Sequence, residues 1–206
     1  MRVRPANRRL GILLSGRGSN FEAIADRIAS GSLQAQIAIV ISNIETAPGL
    51  ERARASGLTT AFIPSRGKAR DEFEAEVVGV LKQHDVSLVV LAGFMRILGA
   101  TFIESFPYGI LNIHPSLLPA FHGMDAQKQA LDHGVRFSGC TVHFVDQSLD
   151  GGPIVAQAAV PVMVSDTADS LSARILKEEH RIYSEAIELV LAGRCEIEGR
   201  RVLIHE

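Results

Sequence analysis

With 206 residues, 47% of them hydrophobic and 21% charged, and a mean hydropathy of +0.18, the chain has the composition of a soluble globular protein with enough apolar residues for one full core. A formal net charge of -2 and a pI near 6.4 provide no global basic field for nucleic acid, so any phosphate binding has to be local. The two cysteines, Cys140 and Cys195, are too few for a disulfide framework and lack C-x-x-C spacing, which points to a reducing compartment, the cytoplasm.

The start of the chain, MRVRPANRRLGILLSG, is basic and then apolar, but an apolar run of five residues before Ser15 is too short for a signal peptide or a membrane span. Residues 1–8 are expected to form a flexible arm on a single domain. From there, short β-rich apolar runs alternate with amphipathic stretches in the manner of βα units. RLGILLS predicts a strand, NFEAIADRIASG a helix closed by glycine, AQIAIVISN a strand, and GLERARASG a helix with the same glycine stop. TTAFIPS and VSLVVLAG are further strands around the helix RDEFEAEVVGVLKQHD, and YGILNIH follows a short helix near GATFIESF. Such runs imply an α/β fold with a Rossmann-like, mostly parallel sheet flanked by helices. After residue 135 the pattern changes. FSGCTVHFV alternates Cys140, Val142 and Phe144 against Thr141 and His143, and GGPIVAQAAVPV returns after a Gly-Gly-Pro turn, so antiparallel strands are expected in the C-terminal third. A long helix over TADSLSARILKEEHRIYSEAIELVLAG then packs back, and CEIEGRRVLIHE reads as a small terminal hairpin. No internal repeat, low-complexity stretch or linker suggests a second domain.

LLSGRGSNFEAI reads as a strand, a loop with Gly16 and Gly18, and a helix starting near Ser19 or Asn20. Free N–H groups and the helix dipole at such a start suit an anion. No Gly-Lys-Ser/Thr follows, Phe21 stands where a dinucleotide fingerprint has its third small residue, and the next strand ends in Ser42-Asn43 without a ribose-binding acid. A monophosphate therefore fits better than a dinucleotide, although a tight turn with a Ser or Asn cap explains the same residues.

In NIHPSLLP, Asn112 and His114 are two residues apart in a strand and so point to one side of it, at the carboxyl edge where parallel sheets place ligands. An amide donor beside an imidazole can hold a developing oxyanion, and the imidazole can also move a proton. Pro115 stops the ladder. Asp150, in LDGGPIVAQ, has the composition of a plain turn former, since Asp-Gly is a common hairpin signal. If its carboxylate reaches His114, it keeps that imidazole charged and oriented.

These motifs, SGRGSN, LAGFMRIL at 91–98, NIHPSLLP at 112–119 and LDGGPI at 149–154, occur in the order that resembles the phosphoribosylglycinamide formyltransferase family, over about residues 9–192. The Asn-x-His...Asp set alone is shared with methionyl-tRNA formyltransferases and formyltetrahydrofolate hydrolases. Those are expected to carry a further tRNA-binding or regulatory domain that 206 residues do not accommodate. The resemblance implies Asn112, His114 and Asp150 as catalytic residues, and Gly18, Ser19, Asn20 and Glu179 as contacts to glycinamide ribonucleotide. It implies Arg70, Met95, Arg96, Ile97, Leu98 and Asn112, with the loop from Val145 and Asp146 to Asp150, as contacts to 10-formyltetrahydrofolate, the co-substrate. AFHGMDAQKQAL departs from the family pattern at Asp125 and Gln127, so no substrate contact is assigned within residues 120–131.

The reaction so implied is attack of the ribonucleotide's amine on the formyl carbon, with Asn112 and protonated His114 on the oxyanion. No metal is expected, for the chain has no ligand cluster at metal spacing. The partners implied are small molecules, with no nucleic acid and no membrane; a monomer or a homodimer both remain open. His84, His133 and His205 lie in polar or terminal segments and read as surface residues, whereas His122, His143 and His180 stay unassigned. Two other readings stay open: a hydrolase releasing formate from the same site, and a nucleotide-binding module without chemistry.

Overall fold

The computed structural model describes residues 1–206. Its first half alternates strand and helix: β1 (Arg9–Leu14), α1 (Ser19–Ala29), β2 (Gln36–Ser42), α2 (Pro48–Ala55), β3 (Thr60–Phe62), α3 (Arg70–Gln83), β4 (Leu88–Leu91), α4 (Ala100–Ser105) and β5 (Ile110–His114). Then follow α5 (Ala126–Asp132), β6 (Phe137–Phe144), β7 (Ile154–Pro161), α6 (Ala168–Leu191), β8 (Cys195–Glu198) and β9 (Arg201–Ile204). One sheet of nine strands runs in the order β3-β2-β1-β4-β5-β6-β7-β9-β8. Strands β1 to β5 pair in parallel, and β6 turns antiparallel against both β5 and β7. This is the expected α/β architecture.

The parallel strands are apolar on both faces because helices cover both. Leu10, Ile12 and Leu14 of β1, Leu88 and Val90 of β4, Leu111 and Ile113 of β5, and Cys140, Val142 and Phe144 of β6 pack under α1 and α6. Leu13, Ile39, Ile41, Val89, Leu91 and Ile110 face the other way, onto Phe73, Val77 and Leu81 of α3 and Phe102 of α4. Each such side chain contributes about 1.5–3 kcal/mol when fully buried. The second cluster takes no residue from β6 or β7, so its helical cover ends at β5. Beyond that limit the alternation of β6 turns Thr141 and His143 away from α6.

Helix α6 has the i, i+4, i+7 spacing of one apolar face in Leu171, Ile175, Ile182, Tyr183, Ala186, Ile187 and Val190, all buried. Thr167 and Ser170 form a reciprocal capping box at its start, and Gly193 at φ 67 closes its end.

One local expectation changes, and one helix is added. Residues 1–8 do not lie free of the fold: Arg2 bridges Glu196, Val3 N–H donates to Cys195 O at 2.9 Å, and Val3 is buried. Strand β8 is an edge, and pairing with the amino terminus satisfies backbone groups it would otherwise expose. Helix α5 was not anticipated, because AQKQALD is short and begins after Asp125 in the left-handed region rather than after a capping side chain.

Tyr183 joins the helix to the sheet. Its hydroxyl lies 2.9 Å from Leu91 O and 3.0 Å from Leu111 O, the carbonyls near the ends of β4 and β5, and burial raises its pKa well above the ordinary value, so it remains a donor. Tyr183→Phe should cost about 1 kcal/mol, seen as a lower urea midpoint with an unchanged slope. An unchanged midpoint would show that the hydroxyl contributes nothing net.

Candidate active site

The register of β5 against β6 pairs Asn112 with His143 and His114 with Thr141. All four side chains therefore lie on the α3/α4 side of the sheet, just beyond where those helices stop covering it. His143 is buried and its Nδ1–H donates to Phe144 O at 2.9 Å, which leaves Nε2 as the acceptor for Asn112 Nδ2–H at 3.2 Å. Burial lowers the His143 pKa below its ordinary value, in keeping with a neutral ring in this one tautomer. Asn112 is thereby oriented with its amide nitrogen toward His143, and that nitrogen retains a second N–H. Nothing in the spacing of FSGCTVHFV reveals this partner; only the cross-strand register does.

His114 is 5% exposed, and acceptors face both of its ring nitrogens. Nε2–H donates to Phe121 O at 2.8 Å, while Nδ1 lies 3.5 Å from Asp150 Oδ2. A carbonyl only accepts, so the Nε2 proton is required. A proton on Nδ1 as well turns the contact with Asp150 into an attraction between opposite charges. Asp150 sits at φ 49, and the same Oδ2 accepts Gly123 N–H at 2.8 Å. The carboxylate thus ties the loop after β6 to the 120–125 loop, across the imidazole. Thr141 anchors the other end of that loop: its Oγ1 donates to Ser116 O at 2.7 Å and accepts Leu118 N–H at 3.0 Å and Gln157 Nε2–H at 2.9 Å.

The β1–α1 loop opens at the same carboxyl edge. Gly18 is at φ 75, and a Cβ there would lie 2.8 Å from Gly49 Cα, so two glycine backbones touch and bring the start of α2 against that of α1. No side chain caps α1, which removes the Ser or Asn cap as an explanation of this loop and leaves its first N–H groups available to an anion. Asn20 reaches instead to α6, where its Nδ2–H donates to Glu179 Oε2 at 2.8 Å. Asn20 Oδ1 is buried without a partner, and burial raises the Glu179 pKa against the lowering effect of Asn20. His180, the next residue, has a buried Nε2 that is also unpartnered.

The loop after β4 exposes Met95 and Ile97, at 75% and 62%. Ser15 Oγ accepts Met95 N–H at 2.9 Å and Ser15 N–H donates to Gly93 O at 3.0 Å, so this loop is joined to the β1–α1 loop. Leu98 is buried with Phe73 and Phe102, leaving only its main chain to face a ligand. Arg70 is exposed at the first turn of α3, and Arg96 lies over the Phe73 ring at 5.8 Å. Val145 and Asp146 follow β6 directly, with Asp146 Oδ1 accepting Ser148 N–H at 2.9 Å. His122 is exposed and makes no side-chain hydrogen bond with the site.

Residues 8–187 match the Formyl transferase family. The phosphoribosylglycinamide formyltransferase of Escherichia coli (strain K12) is 41% identical over 187 residues, 90% of this chain and 88% of that one. The trifunctional purine biosynthetic protein adenosine-3 of Bos taurus is 44% identical over 192 residues, 93% of this chain, and the chain spans 19% of that relative's length. The crystal structure of glycinamide ribonucleotide transformylase 1 from Symbiobacterium toebii superposes with a TM-score of 0.95 at 50% identity, covering 97% of this chain and 95% of that one.

The neutral ring of His143 gives stability a pH dependence. Unfolded, the ring titrates near about pH 6.5, and folded it titrates lower, so the unfolded state binds more protons at acid pH. Its contribution is full above the unfolded pKa and is lost as pH falls through the folded one. Glu179, raised by burial, has the opposite sign, its contribution fading as pH rises. Substituting His143→Gln keeps an acceptor for Asn112 without the titration. The stability difference between native protein and variant should therefore shrink from about pH 8 to about pH 5 in urea unfolding. A difference equal at both would rule out a neutral buried ring.

Proposed function

The chain belongs to the formyl transferase family, and on that premise we propose that it transfers the formyl group of 10-formyltetrahydrofolate to the amine of glycinamide ribonucleotide, giving formylglycinamide ribonucleotide in de novo purine biosynthesis. The observation that carries the reading is a juxtaposition. An uncapped, phosphate-suited helix start at Gly18 to Asn20 opens at the same carboxyl edge of adjacent strands β1, β4 and β5 as the Asn112, His114 and Asp150 group.

In this reading the ribonucleotide phosphate takes the first N–H groups of α1, and Glu179 accepts from the sugar or glycinamide end. The donor lies along the 93–98 loop, with Met95 and Ile97 on its flat ring system, Arg96 and Arg70 toward its acidic tail, and residues 145–150 at its other side. The uncharged amine attacks the formyl carbon, a C–N bond forms, and the carbonyl oxygen becomes an oxyanion. Asn112 Nδ2–H, oriented by His143, and His114 Nε2–H donate to that oxyanion. The Phe121 carbonyl holds the latter hydrogen in the structure, so the oxyanion competes with it. The attacking nitrogen then loses a proton, the folate nitrogen gains one, and the old C–N bond breaks to release tetrahydrofolate. His114 or a water beside it relays the proton, and Asp150 supports the imidazolium. Two small molecules are the only partners the reaction needs. No helix is long and apolar enough to cross a membrane, and the proposed setting is the cytoplasm, as a monomer or a homodimer.

The deciding assay follows 10-formyltetrahydrofolate turnover with and without glycinamide ribonucleotide. Turnover should require the ribonucleotide; formate release without it would make the site a hydrolase, and absence of turnover would leave a binding module. His114→Ala should lower kcat by on the order of 10² or more while both KM values stay near those of the native protein, because the lost interactions belong to the transition state. Near-normal kcat would remove His114 from the chemistry.

A further inference from the structure

Glu74 is a carboxylate at 2% exposure within α3, outside the group at the end of β5. Its Oε1 accepts Gly99 N–H at 2.8 Å, and its Oε2 is buried without any partner. Gly99 ends the 93–98 loop and begins α4, in an extended conformation at φ -83 that any residue adopts. Backbone freedom therefore does not explain the glycine. Space does: a Cβ at position 99 would lie 2.9 Å from Glu74 Oε2 and 3.4 Å from Arg70 Cδ. One residue earlier on α3, Phe73 stacks on Phe94 at 6.5 Å and carries the Arg96 guanidinium over its ring. Consecutive residues of one helical turn thus grip the two ends of a loop whose middle, at Met95 and Ile97, is turned to solvent.

Burial of this carboxylate is hard to justify as stabilisation. It receives a single N–H, half of its acceptor capacity is orphaned, and an apolar side chain of similar volume would fill the position without that desolvation penalty. What a Met or Leu cannot do is fix the direction of a backbone N–H.

We propose that Glu74 is a positioning residue of the formyl-donor subsite, holding the 93–98 loop in its ligand-facing conformation through the Gly99 N–H. The inference rests on the reading of that loop as the donor's binding surface. Glu74 touches no substrate; it acts through the main chain of the loop. A Cβ at Gly99 would press on the carboxylate that holds its N–H.

The test uses the full chain with three substitutions, Glu74→Met, Glu74→Gln and Gly99→Ala, and a readout that needs no ligand. Amide exchange at residues 93–99 should quicken in Glu74→Met and Gly99→Ala and stay close to native in Glu74→Gln, which keeps an acceptor. Tetrahydrofolate affinity, by titration, should fall by about tenfold in the first two, with the ribonucleotide KM unchanged and Glu74→Gln restoring most of the loss. Native exchange or native tetrahydrofolate affinity in Glu74→Met would overturn the proposal, as would equal losses for both substrates in step with a lower Tm. Should Glu74→Met fail to fold, Gly99→Ala decides, since it dislodges the carboxylate from the loop's side. If the native protein does not bind tetrahydrofolate, the donor reading fails, and with it the subsite role, while the exchange data still show whether Glu74 holds the loop.

Discussion

The register between β5 and β6 is the constraint on which the rest of the site depends. It sets His143 opposite Asn112 and Thr141 opposite His114, and a slip of one residue would turn both partners into the apolar layer beneath α6. The same junction is where the sheet changes from parallel to antiparallel. A parallel strand needs a crossover helix to reach its neighbour, and that helix covers a face; an antiparallel neighbour needs none. Cover by α3 and α4 therefore ends at β5, and the first uncovered positions are the polar ones. The site exists because the helices stop there.

Helix α6 joins the core to the β1–α1 loop. Its apolar stripe packs on β5, β6 and β7, Tyr183 bonds to Leu91 O of β4 and Leu111 O of β5, and Glu179, four residues earlier, reaches Asn20 in the β1–α1 loop. Burial acts on the two partly apolar surroundings in opposite senses, lowering His143 and raising Glu179. Each residue is held toward its neutral form by the same loss of hydration. His143 in that form accepts from Asn112, whereas Glu179 retains a charge-assisted bond with Asn20 only while ionised.

Loops around the candidate site are joined to one another rather than left separate. Ser15 connects the β1–α1 loop to the loop after β4, Asp150 connects the loop after β6 to residue 123, and Glu74 reaches the end of the 93–98 loop from behind. Functional groups on loops need such supports, because a loop contributes few buried contacts of its own. Gly18 against Gly49 and Gly99 against Glu74 are two points where a missing side chain permits the approach.

The sequence by itself determined the βα order, the parallel half of the sheet, the antiparallel turn after residue 135 and the long amphipathic helix, since each follows from local periodicity and from glycine, proline and capping residues. It also placed Asn112 and His114 on one side of a strand end, because that depends only on a repeat of two. What it missed is, α5 apart, non-local. The amino terminus lies along β8 because an edge strand near the other end of the chain accepts it, and α5 starts from a left-handed residue that no propensity announces. His143 gained a role only through cross-strand register, Asp150 became more than a turn former through a 3.5 Å approach to His114, and the burial of Glu74 follows from the approach of α3 to Gly99. Those are distances between segments remote along the chain. They are decided by how the layers pack, and a linear pattern carries the period of each element but not the registers and separations between them.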